Sequence, residues 1–153
     1  MKHRVILSLI ILATAFIGTS VLGHGADKQC INIYVDFGSL NNNNKISKCV
    51  EEIDGMAAVQ ALQKTDLVLV GTEKYGDAVV CRVNGLPDAK HEKCQSMPPE
   101  NAYWAVIIKR QKTIADPFPK WGWAQTGIND VYLNSGDSLG LVFTENGKVK
   151  WPN

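Results

Sequence analysis

What this sequence lacks first of all is a catalytic constellation. It holds three histidines, His3, His24 and His91. None stands beside a Ser or Cys and a further acid-base residue in a recognisable pattern, so nucleophilic catalysis has no visible framework. His91 lies within Asp88-Ala89-Lys90-His91-Glu92-Lys93, which reads as a solvated loop. Adjacent Glu51 and Glu52 point apart on a regular backbone, which removes the obvious carboxylate pair. Close Cys-x-x-Cys and Cys/His spacings are missing, which argues against zinc. An excess of one charge is missing too, with 16 Lys+Arg against 15 Asp+Glu. Such a balance gives no reason to expect nucleic-acid binding or a membrane-surface role. The uninterrupted apolar run near the start falls short of the ~20 residues that span a bilayer.

What is present begins with basic Met1-Lys2-His3-Arg4, the apolar stretch Val5 to Phe16, and small residues Gly18, Thr19 and Ser20. This layout predicts a signal peptide over residues 1–23, cut before His24, with Gly25 as a second candidate start. Cys30 lies too far from Leu22 for lipid anchoring. A secreted, extracytoplasmic protein is therefore expected, with a short stub at residues 24–29 and one domain over residues 30–153. Four cysteines fall in that domain. An even number in an exported chain reads as two disulfides, for which three connectivities exist. Cys30–Cys49 and Cys81–Cys94 are preferred, because each pair flanks a local hairpin.

Ile31 to Phe37 alternates, with Ile31, Ile33, Val35 and Phe37 on one face and Asn32 and Asp36 on the other, as in a half-buried strand. The polar run through Asn41-Asn42-Asn43-Asn44 predicts a turn, and Ile46 to Val50 an antiparallel return. Asp54 is placed to cap a short helix in which Met56, Ala58, Val59, Ala61 and Leu62 form one face. Leu67 to Val70 reads as a strand. Ala78 to Val83 is expected to pair across Asn84-Gly85 and a polar loop with Tyr103 to Ile108, giving a hairpin clipped by Cys81 and Cys94. Lys109 to Lys120 reads as a proline-bearing surface loop. Further strands are expected near Val131 to Leu133 and over Leu139 to Phe143, with a tight turn at Asn146-Gly147. One helix with six to eight short strands makes an α+β domain.

Several stretches, in this order, carry a resemblance: Ile31 to Gly38, Gly55 to Leu62, Val80-Cys81-Arg82-Val83-Asn84-Gly85-Leu86-Pro87, Cys94, Pro98-Pro99-Glu100-Asn101-Ala102-Tyr103-Trp104 and Gly136 to Gly140. Together they resemble a family of bacterial secreted domains similar to the C-terminal domain of transcobalamin and intrinsic factor. The resemblance implies a β-grasp fold, with one helix packed on a mixed sheet. By analogy with those vitamin carriers it also implies binding of a small, cobalamin-like cofactor, none being required for folding.

The aromatic residues of the last third supply the candidate site. Trp121, Trp123, Phe118 and Tyr103 are the expected ligand-binding residues, with the Gly85 to Pro98 loop as a further part of the surface, since a domain this small cannot bury every aromatic ring it carries. Trp104, in mid-strand, is expected in the core. The chain is thus read as a monomeric, non-catalytic binding module for a small molecule, a cell-surface glycan or a protein. The alternative is a structural domain that docks through a sheet edge. A copper site built on an N-terminal His24 with His91 is a third, distant reading.

Overall fold

A computed structural model describes residues 30–51 and 54–153. The leader, the stub with His24, and Glu52 lie outside the described residues. The alternating segment forms β1 (Ile31–Asp36), and a single 3-10 turn at Gly38–Asn41 leads to β2 (Lys45–Val50). Asn42 and Asn43 take positive φ, 49° and 58°, where asparagine is among the few tolerated side chains. The hairpin is antiparallel, with Ile31 opposite Val50 and Asp36 opposite Lys45.

The helix is shorter than its sequence pattern. Met56–Ala57 is a two-residue strand, β3, and α1 runs over Ala58–Gln63. Asp54 does not cap it: its carboxylate accepts the Ser135 backbone N–H at 2.9 Å. The Gln60 side chain accepts the Ala57 N–H at 3.3 Å instead. Met56 and Ala57 are drawn into pairing with β8 (Tyr132–Leu133), and that tertiary partner overrides the local helix signal. Ala58, Ala61 and Leu62 are the buried face.

The expected central hairpin does not form. The chain continues through β4 (Leu69–Thr72) and β5 (Gly76–Val83), which pair only with each other, whereas β6 (Trp104–Lys109) belongs to a different sheet. Asn84-Gly85 does make a tight turn, with Val83 and Leu86 exchanging backbone hydrogen bonds of 2.9 and 3.0 Å. It turns the chain into the Asp88 loop rather than into a partner strand, and β5 pairs with β4 alone.

The main sheet is completed by β7 (Gly122–Trp123) and β9 (Ser138–Phe143), in the order β2-β1-β9-β6-β7. β1 and β9 run parallel at its centre, and β6 pairs with β9 antiparallel. Among the described residues the fold is thus mostly sheet, in one five-stranded and two two-stranded sheets, with one small helix.

Register divides the main sheet into two faces. Ile31, Ile33 and Val35 of β1 lie beside Leu139, Leu141 and Phe143 of β9 and Trp104 of β6, and this face packs against α1. Trp104 meets Phe37 and Phe143 edge-on, with ring centroids 5.4 and 5.5 Å apart. Its indole N–H donates to the Leu86 carbonyl at 3.1 Å.

On the opposite face Ala105, Ile107 and Val142 are buried under Tyr34, Tyr103, Trp121 and Val149. Asp36 lies on this face, yet it is 2% exposed rather than solvated. It accepts hydrogen bonds from the Tyr34 hydroxyl at 3.1 Å and the Gly38 N–H at 3.0 Å, and pairs with Lys45 at 3.4 Å. Those partners replace the water that a carboxylate otherwise needs.

Two disulfides brace the fold, Cys30–Cys49 across β1 and β2 and Cys81–Cys94 from β5 to the loop before β6. Sequence separations of 19 and 13 residues correspond to about 3 kcal/mol each by loop-closure entropy. Bridges of this kind persist in an oxidising, extracytoplasmic environment. No helix among the described residues is long and apolar enough to cross a membrane.

Candidate functional site

The main sheet and the β4–β5 ribbon do not pair, and a cleft of about 610 Å³ lies between them. One wall is Ala78, Val79 and Val80 of β5, and the other is Trp104, Ala105 and Val106 of β6. Met97, Pro98, Trp123 and Ala124 also line it. β5 contributes here because β4 occupies only one of its edges. Met97 and Pro98 lie in the segment that follows Cys94, the second half of the Cys81–Cys94 bridge. The lining is predominantly apolar, and its volume lies within the ~300–1,000 Å³ typical of small-molecule sites.

Of the four aromatic candidates, Tyr103 and Trp123 share this cleft. Trp123 is 45% exposed, and its ring is held edge-on by Trp151 at 5.8 Å. Trp121 turns to a different neighbour, Tyr34, with centroids 6.3 Å apart, and packs on the second face of the sheet. Its indole N–H is buried without a hydrogen-bond partner among the described residues. Phe118, 81% exposed, does not line the cleft. Met97 and Pro98 end the Gly85 to Pro98 loop that the sequence marks as a further part of the surface, whereas sequence reasoning missed the outer edge of β5, which becomes a wall only because the expected β5–β6 pairing is absent.

A second, more polar groove of about 530 Å³ adjoins the first, and Trp123 and Thr126 border both. It lies between the β6–β7 edge and β8. Arg110 lines it, donating to the Tyr132 carbonyl at 2.7 Å and to Asp137 at 2.8 Å.

Acid-base chemistry finds little support elsewhere. His91 Nδ1 lies 2.8 Å from Asp88 Oδ1, and that hydrogen bond, with others from the Lys90 and His91 backbone, holds the Asp88 carboxyl below its ordinary range. The His91 side chain is 77% exposed, and no Ser, Thr or Cys hydrogen-bonds to it among the described residues. Cys81, Cys94 and Glu92 bring potential ligand atoms within 4.8 Å of one another, but both sulfurs are committed to the disulfide. No family model, curated protein or solved structure matches this chain.

Proposed function

We propose that this chain is an exported, non-catalytic binding module of the β-grasp type, resembling the C-terminal domain of transcobalamin and intrinsic factor. Its ligand is a small cofactor of cobalamin-like character, taken between β5 and β6. The fold reading is supported by an opening hairpin, a helix that follows it, and a last strand laid parallel to the first at the sheet centre. The binding reading is carried by the cleft itself, an apolar gap of about 610 Å³ framed by Tyr103 and Trp123. Export agrees with the two disulfides.

The test is titration of the oxidised protein with cobalamins and with the apolar dye anilinonaphthalenesulfonate, read by tryptophan fluorescence and calorimetry. Saturable binding that Tyr103→Ala and Trp123→Ala weaken, with the fold intact, supports the reading. Absence of binding by every probe overturns it. One feature favours a docking role instead: β7 covers only Ile107 and Ile108, and Ala124 bonds Val106, so among the described residues no strand flanks the Trp104 end of β6 on that side. A peptide that displaces the dye would move the assignment to strand addition.

A further inference from the structure

The polar groove beside Trp123 has a different chemistry from the apolar cleft, and we infer that it is a second site, for a neutral saccharide. Its charged lining is Arg110 and Lys120 with Asp116 and Asp130. Arg110 is already engaged by the buried Asp137 carboxylate, which leaves Lys120 facing two carboxylates, so an anionic ligand is not favoured. The groove also holds the Gln125 amide and the Thr126 hydroxyl. Mixed donors and acceptors of this kind match hydroxyl groups, which both donate and accept.

Two aromatic residues border the same space, Tyr132 at 59% exposure and Trp123. Exposed rings next to hydrogen-bonding groups suit a sugar, whose ring carries apolar C–H faces between its hydroxyls. Gly122 lines the groove too, and a Cβ there would meet nothing within 4 Å. Arg110 fixes the groove's shape, because its guanidinium ties the end of β6 to the Tyr132 carbonyl of β8. The site does not depend on occupancy of the apolar cleft, so the two assignments can fail separately.

The experiment is calorimetric titration of the oxidised protein with cellohexaose, chitohexaose, xylohexaose and mannohexaose, using three variants. Gly122→Val adds a branched side chain at a lining position where a Cβ meets nothing within 4 Å, and it suits a strand. Tyr132→Ala removes the exposed ring, and Tyr103→Ala changes a residue of the apolar cleft that does not line this groove. The expected result is saturable binding of at least one oligosaccharide, weakened about tenfold or more by Gly122→Val and by Tyr132→Ala and unchanged by Tyr103→Ala. Thermal unfolding of each variant identifies any that fails to fold, and the remaining groove variant then decides. No binding of any oligosaccharide overturns the inference. So does binding that both groove variants leave intact, or that Tyr103→Ala abolishes.

Discussion

Gly140 of β9 and Ile107 of β6 face each other so closely that a Cβ on Gly140 would lie 2.6 Å from Ile107 Cγ1 and 3.3 Å from the Trp121 ring. The glycine is required by contact, since it lets Trp121 settle on the second face of the sheet beside Tyr34. Gly140→Ala is therefore expected to destabilise the protein by about 1–3 kcal/mol through overpacking. Gly122→Ala, where the added carbon enters open space, should change stability by no more than about 0.5 kcal/mol. Urea unfolding of both variants checks the contrast, and equal losses would refute it.

Asp137 is the buried anchor of the far end of the sheet. Its carboxylate accepts the Gln111 N–H at 2.8 Å, the Asn134 N–H at 2.9 Å and the Arg110 guanidinium at 2.8 Å. Asp137→Asn puts an amide donor among groups that themselves donate, and a loss of about 2–4 kcal/mol is expected. Arg110→Ala should cost less, below about 1.5 kcal/mol, because its side chain is half exposed and solvent screens the pair. Denaturant melts of the two variants order the effects.

Much of the main sheet was legible in the sequence. Strict alternation over Ile31 to Val35 and the return of Ile46 to Val50 are local signals, and buried Trp104 follows from its place in an apolar strand. Strand partners were less legible. Asn84-Gly85 announces a turn, but whether Val83 then faces Trp104 or Leu69 depends on which edge β4 reaches, which no local pattern encodes. The same gap hid the cleft, because its walls belong to strands far apart in the chain. Asp54 was misread because a capping residue and a residue that holds a distant backbone N–H look alike in sequence. Trp121 and Trp123 were marked together as candidates, but their separation, one against Tyr34 and one against Trp151, rests on contacts that spacing alone cannot supply.

The Cys81–Cys94 bridge links stability to the proposed binding. Replacing both cysteines by serine should cost about 3 kcal/mol from loop closure alone. It should also weaken dye or cofactor binding more than the Cys30–Cys49 double replacement does, because only the former bridge precedes the Met97-Pro98 rim. Thermal melts and titrations on the two double variants separate these effects. Equal binding by both would show that the rim holds its place without the bridge.

Alkaline pH should strike the β1–β2 hairpin first. Tyr34 has its pKa raised above the ordinary 10.0, mainly because partial burial disfavours the phenolate and despite the opposing Lys45 hydrogen bond. Lys45 has its pKa raised above the ordinary 10.5, chiefly by the hydrogen bond to Tyr34 and then by the Asp36 charge. Both groups thus hold a proton more tightly in the folded chain than in the unfolded one. Their stabilisation is complete below the unfolded values and disappears as pH rises through the folded ones, so the melting temperature should fall beyond about pH 10. Tyr34→Phe removes one of the two titrations and should flatten that decline while leaving the neutral-pH fold intact. Glu145 gives the opposite limb: hydrogen bonds from the Ser39 side chain and backbone lower its pKa, so this contribution is present above the ordinary 4.5 and is lost as pH falls through the folded value. Melting curves of the oxidised wild type and Tyr34→Phe across both limbs provide the check, since the substitution should alter the alkaline limb alone. An unchanged alkaline slope would mean that the Tyr34–Lys45 contact adds nothing to the hairpin.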